Sequence, residues 1–351
     1  MKLFNLDCHI SVIADLKNIF TELGHEVVSW SISGHNFVFD RDPSKVDVIN
    51  QQTWWNLDDK MADEFYERYK DELSEFDAFI CTYPLTFAKL YEKFKKPIIL
   101  HVPIRYEVPF HNDKQKWEDF NEYLRNGIDQ GLIIPVANSE YDKRYFEFFV
   151  GRECKFIPNV CEYTNTKWDP IKDKFLYSSR LPANLDPTKI VNKDTLGRYK
   201  WDDLSTFKGI IVIPYTCSTM SIFEHYTANI PLFFPSKKYI MELYQSFGQV
   251  VLSELTWNRI FQLSPGSIIE CDRSNDPNAY NNLEIMDRWI DYSDFYNQDS
   301  MPHIVYFDSV EDLLQKLETT NLSEVSEKIS SFNELKRVKV YDEWNKILNS
   351  L

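Results

Sequence analysis

The sequence lacks a CxxC pair, an apolar run of bilayer length and any excess of positive charge. Its six cysteines, Cys8, Cys81, Cys154, Cys161, Cys217 and Cys271, are scattered, which predicts free thiols in a reducing compartment. The opening stretch MKLFNLDCHISVIADL is too polar for a signal peptide, and no segment approaches a membrane span. A cytoplasmic protein is the expectation. The formal net charge of −15 argues against a general binder of nucleic acid or membrane surfaces, which needs basic stripes. A small anion held by a local cluster of donors remains compatible with it. HExxH, GxSxG, Walker A and Cys/His zinc patterns are all missing. So is GxGxxG, which counts against a dinucleotide-dependent dehydrogenase.

What is present is a long, alternating chain. At 351 residues two domains are expected, and 43% hydrophobic with 15% aromatic residues supplies material for both cores. Residues 2–6 read as a strand. Val12, Ile13, Leu16, Ile19, Phe20 and Leu23 then recur at helical spacing until Gly24. Strands follow at 27–32, 76–82, 97–102, 133–137 and 155–157, with helices at 58–73, 87–94, 117–128 and from Ser139 to Val150. Continuous apolar strands alternating with helices imply a parallel sheet covered on both faces. Residues 159–173 (NVCEYTNTKWDPIKD) lose the periodicity, as a linker would.

A second alternating set begins at 174–178. Strands are expected at 209–214, 231–234 and 303–307, with helices near 219–228 and 237–246. Ser309 is expected to cap a helix burying Val310, Leu313, Leu314 and Leu317, and Asn321 with Glu324 suggests a further capping box. The domains read as 1–160, a linker at 161–173, a second lobe at 174–335 and a helix at 336–351 that packs back on the first. Two doubly wound lobes in tandem offer a cleft at their strand C-terminal ends, where ligands of such sheets bind.

Residues 210–236, IIVIPYTCSTMSIFEHYTANIPLFFPS, form the most informative segment: strand, small polar loop, helix start, Glu one turn in, then another strand. Hydroxyls and backbone N–H groups of the loop at 216–221 make an anion site at a helix N-terminus. Glu224 suits ribose hydroxyls. Equally, Ser221 and Glu224 fit a plain capping box. This segment resembles the donor-binding strand, loop and helix of the GT-B glycosyltransferases, in which a Glu on that helix contacts the nucleotide ribose. The resemblance implies two Rossmann-like lobes facing a central cleft, the first for an acceptor and the second for a nucleotide sugar. Many retaining members carry a second Glu seven positions upstream. Here that position is Cys217, which tilts the reading toward inversion.

The resemblance further implies that Arg180, after the strand at 174–178, neutralises the donor diphosphate together with Tyr215, Ser218, Thr219, Ser221 and Glu224. A surface Arg paired with a carboxylate is the plain alternative. In the first lobe, His9 lies just past the first strand, where an imidazole can take the acceptor proton. Asp7 can orient it or replace it, and Glu107 is a further candidate base. His35, Tyr83 and Arg105 would line the acceptor side. Asp40-Arg41-Asp42 imitates the DxD metal site of GT-A enzymes but comes after only two strands, too early for that fold. No metal and no cofactor is expected, only a UDP- or GDP-linked sugar as co-substrate. The rivals are a nucleotide-sugar 2-epimerase and a two-lobed carbohydrate-binding protein.

Overall fold

The computed structural model describes residues 1–104, 106–110, 113–181, 185–252, 277 and 282–351. Two compact units divide the chain between Asn159 and Val160, and Val340–Leu351 belongs with the first.

The first unit is built on a parallel sheet of β1 (Lys2–Asp7), β2 (Glu26–Ser31), β3 (Ala78–Cys81), β4 (Ile98–Val102), β5 (Ile133–Ala137) and β6 (Lys155–Phe156). The order across the sheet is β2-β1-β3-β4-β5-β6. Every residue of β3 and β4 is buried, as expected of strands covered on both faces. Helix α1 (Ile10–Glu22) buries Val12, Ile13, Leu16, Ile19 and Phe20. It stops at Gly24, whose φ of +87° costs little without a Cβ. Helices α2 (Asp59–Leu73), α3 (Ala88–Tyr91), α4 (Lys114–Asp129) and α5 (Glu140–Val150) complete the layers. Asp58, Asp113 and Ser139 cap α2, α4 and α5 by accepting from backbone N–H groups of their first turns.

The second unit carries β7 (Phe175–Ser178), β8 (Ile190–Asn192), β9 (Ile210–Val212), β10 (Leu232–Pro235) and β11 (Val305–Phe307), in the order β11-β10-β9-β7-β8. All pairings are parallel. Among the described residues its helices are α6 (Trp201–Ser205), α7 (Met220–Thr227), α8 (Lys237–Phe247), α9 (Leu283–Ile290), α10 (Val310–Thr319) and α11 (Leu322–Leu348). A side chain at Gly209 would begin 2.8 Å from the Pro231 carbonyl, so β9 can start beside that turn only with glycine. The end of α11 contributes Trp344 to the first unit, edge-on to Phe20 with ring centroids 5.1 Å apart. Truncating a buried Trp of this kind costs roughly 3–5 kcal/mol.

Several expectations change. Strand β8 and helix α6 were not read from the sequence. Residues 161–173 bond to neighbours in the second unit: the Trp168 N–H donates to Ala228 O at 2.7 Å and its indole N–H to Phe207 O at 2.9 Å. The Lys172 N–H reaches Thr206 O at 2.9 Å. The segment thus packs as part of the second unit. On α10, Leu313 and Leu317 are buried, but Val310 and Leu314 are 44% and 40% exposed. Only the i, i+4 pair faces the sheet, and its flanking apolar residues remain in solvent. Among the described residues, no helix is long and apolar enough to cross a membrane.

Each sheet has one place where strand order reverses. In the first unit the chain goes from β1 out to β2, then returns to β3 on the other side of β1. In the second it goes from β7 to β8, then returns to β9. Loops leaving adjacent strands in opposite directions open a crevice at such a switch point.

Candidate functional site

At the switch point of the second unit, the loops after β7 and β9 are tied together by the Ile213 N–H, which donates to Ser178 O at 3.2 Å. They wall a cavity of about 190 Å³. Arg180, exposed at the end of the β7 loop, lies over the Tyr215 ring with its guanidinium carbon 3.7 Å from the centroid. That cation–π contact places the guanidinium at the cavity wall. Lys193 and Asp194, just past β8, add a cation and a carboxylate to the wall. The fourth side is the start of α7. Thr219 caps it by accepting from the Ile222 N–H at 3.3 Å, and its hydroxyl lies 3.0 Å from that of Ser221. Thr219 and Ser221 both line the cavity, at the positive end of the helix. His225, one turn on, is buried against the cavity. Burial, with Lys193 adding repulsion, pushes its imidazole down to about 3, so the ring is neutral.

Two guanidinium- or ammonium-bearing side chains, a helix N-terminus and two hydroxyls around one cavity are donors of the kind from which phosphate oxygens accept. The structure brings together four of the six residues expected there: Arg180, Tyr215, Thr219 and Ser221. Ser218 and Glu224 are not on the wall. Ser221 and His225, at i and i+4, share the cavity face of α7, and Glu224 is turned about 100° away from His225. Its carboxylate instead accepts the Tyr163 hydroxyl in a short hydrogen bond. The capping box expected from Ser221 and Glu224 is also absent, since Thr219 is the cap. Lys193, Asp194 and His225 were missed by sequence reasoning. The first two follow a strand of three residues that gives almost no periodic signal, and His225 was hidden beside the more familiar Glu.

At the switch point of the first unit, the Cys8 N–H donates to Tyr83 O at 2.7 Å, joining the loops after β1 and β3. His9 starts α1 and is exposed as a residue. Desolvation by the surrounding loops, with His35 adding repulsion, pushes its imidazole down to about 4. Because the residue still reaches solvent, the direction is what the chemistry uses: a neutral ring near pH 7. The Tyr83 ring stands edge-on to it, centroids 6.3 Å apart. His35 is exposed in the loop after β2.

The two substitute bases are elsewhere. Asp7 is fully buried, accepts the Ser31 hydroxyl at 3.0 Å and takes the backbone N–H of His9. It therefore fixes the loop backbone, and no acceptor can reach it. Burial pushes its carboxyl up to about 7. Glu107 is likewise fully buried, accepting the Tyr145 hydroxyl at 2.7 Å. Strand-end position alone did not separate these carboxylates from His9, because it says which loop a residue is on and not which way it points. Arg105 lies outside the described residues. Asp40 and Asp42 are both exposed, and Asp40 has a left-handed backbone with φ of 53°.

Compared with known proteins, the chain matches no family model and no curated protein. Among solved structures it is similar to Anabaena HepE, crystallised with UDP and glucose, with a TM-score of 0.53 and 10% identity over 100% of both chains. It also aligns with the glycosyltransferase SnogD from Streptomyces nogalater, at TM-score 0.41 and 12% identity over 95% of this chain and 94% of that one. The glycotransferase of kitacinnamycin aligns at TM-score 0.45 and 9% identity over 99% and 97%. The fold rests on the first of these together with the two parallel sheets. The chain has the GT-B glycosyltransferase fold, two Rossmann-like lobes in tandem.

Proposed function

We propose that this protein is a glycosyltransferase that moves a sugar from a nucleoside diphosphate sugar, UDP- or GDP-linked, to a glycan hydroxyl with inversion and without a metal ion. The observation that carries the reading is the cavity at the β7/β9 switch point, where Arg180, Lys193 and the start of α7 converge. A diphosphate leaving group needs such donors as its charge develops, and fixed donors serve without reorganisation. Two side-chain cations and a helix terminus cover the role that Mg²⁺ or Mn²⁺ plays where acidic residues line the donor site. Asp194 replaces Glu224 as the carboxylate placed to accept from ribose or sugar hydroxyls.

The acceptor belongs to the first unit. In the transfer step the acceptor oxygen forms a bond to the anomeric carbon as its proton passes to the neutral imidazole of His9. The bond from that carbon to the diphosphate oxygen breaks, and the electron pair leaves with the nucleoside diphosphate toward Arg180 and Lys193. A single base and the absence of a Glu at the Cys217 position favour one displacement, hence inversion.

The test is incubation with a panel of nucleotide sugars, with and without glycan acceptors, in excess EDTA. Release of nucleoside diphosphate that rises with acceptor supports the transferase. Isomerised donor with no release would replace it with an epimerase. Loss of activity in EDTA with rescue by Mn²⁺ would overturn metal independence.

A further inference from the structure

Residues 50–56 of the first unit, NQQTWWN, carry no charge and combine four amide side chains with two indoles. No part of the chemistry above uses them. Trp54 is buried and Trp55 is 49% exposed. Their rings stack at 3.9 Å with an interplanar angle of 30°, so one face of Trp55 rests on Trp54 and the other is presented to solvent. Trp54 in turn stands against Tyr83 at 6.1 Å, and Tyr83 against His9 at 6.3 Å. A continuous row of ring contacts thus leads from the exposed indole to the candidate base.

The segment is pinned rather than loose. Asn50 Oδ1 accepts the N–H groups of Gln52 and Thr53, at 2.9 and 3.2 Å. The Thr53 hydroxyl donates to Val48 O at 2.7 Å, and the Gln51 amide donates to Ile32 O at 2.8 Å, at the end of β2. Ordering an indole in advance removes the entropy that a ligand would otherwise have to offset.

We infer that Trp55 is a stacking platform for a neutral pyranose of the acceptor, one or more sugar units away from the hydroxyl that reacts at His9. This inference rests on the proposed transfer to a glycan. The C–H face of a pyranose carries small positive partial charges that match the negative face of an aromatic ring. The exposed amides of Gln52 and Asn56, flanking the indole, are suited to sugar hydroxyls, both donating and accepting. A phosphate or nucleotide would need cations, and this segment has none. Each contact in the row of rings is comparable with the length of one sugar unit, so a monosaccharide at His9 would not reach Trp55.

The experiment compares wild type, Trp55→Ala and Trp55→Phe on neutral monosaccharide and oligosaccharide panels. It reads both binding, by quenching of indole fluorescence and on a glycan array, and nucleotide release. Wild type should bind a neutral oligosaccharide. Trp55→Ala should weaken that binding, and raise its KM, by about tenfold. Trp55→Phe should recover most of it, while UDP and GDP affinity and any monosaccharide transfer stay at wild-type level. Unchanged oligosaccharide binding in Trp55→Ala would overturn the platform, as would binding of apolar aglycones in place of sugars. The two proposals fail separately. No nucleotide release by wild type from any donor sinks the transferase, and Trp55-dependent oligosaccharide binding would survive it.

Discussion

The two switch points share one topology and differ in chemistry. In the first unit the loop leaving β1 delivers His9, whose ring is kept neutral, and the two carboxylates offered as alternative bases, Asp7 and Glu107, are fully buried. In the second the loop leaving β7 delivers Arg180, exposed and stacked on Tyr215, with Lys193 across the cavity. A group that must accept a proton is useful uncharged. A group that must hold a departing diphosphate is useful only when charged. In the proposed transfer the same βα scaffold meets both demands through local burial and a few loop residues, since fold alone does not assign the roles.

The largest effect that would break this comparison is on the base. His9→Ala should lower kcat by about 10²–10⁴, with nucleotide affinity close to wild type. The sign of the pH dependence follows from the lowered pKa. Protonation removes the base, so activity should hold as pH falls through the ordinary histidine value and be lost only below it. An acidic limb at or above 6.5 that persists in His9→Ala would move the base elsewhere.

A smaller effect tests the second loop. Arg180→Ala should weaken UDP and GDP binding by roughly 10- to 100-fold, the range for one charge-assisted interaction. Glu224→Gln should leave nucleotide affinity nearly unchanged, because its carboxylate is turned from the cavity and held by Tyr163. Calorimetric titration of both variants decides this. A large loss in Glu224→Gln with none in Arg180→Ala would reverse the assignment.

A third effect, on stability rather than on activity, sharpens the first loop. Burial raises Asp7 from 3.8 to about 7 in the fold, so its native form favours the protonated state. The stability that Asp7 contributes is present below its unfolded pKa and declines as pH rises toward 7, at up to about 1.4 kcal/mol per pH unit. Asp7→Asn removes that decline. The difference in unfolding free energy between variant and wild type should therefore widen in the variant's favour from pH 4 to pH 7. A constant difference across that range would mean that Asp7 is charged in the fold.

Much of this was legible in the sequence, unevenly. Strands β3 and β5 are continuous apolar runs, and β5 at Ile133–Ala137 matches its expected bounds. The start of α7 could be read from residues 210–236 because a strand, a hydroxyl-rich loop and a helix occur there in order, and Arg180 from its place just after the strand at 174–178. Strand β8 could not, since three residues among polar neighbours carry no period, and Lys193 and Asp194 were lost with it. Glu224 drew attention by type, yet helical geometry gives the cavity to Ser221 and His225. Burial was the other blind spot. Asp7, His9 and Glu107 all lie at or past strand ends, and only side-chain packing distinguishes a histidine that reaches solvent from two interior carboxylates. Trp54 and Trp55 were plain in the sequence, but only the structure shows the ring contacts that lead from them to Tyr83 and, through it, His9.

Hydrogen–deuterium exchange with and without saturating UDP or GDP separates the two loops most directly. Protection should appear at residues 178–180, 193–194 and 213–225, with residues 7–10 unchanged by the nucleotide alone. Protection centred on residues 7–10 and 33–36, with the second-unit segments unaffected, would place the nucleotide in the first unit and contradict the division of roles.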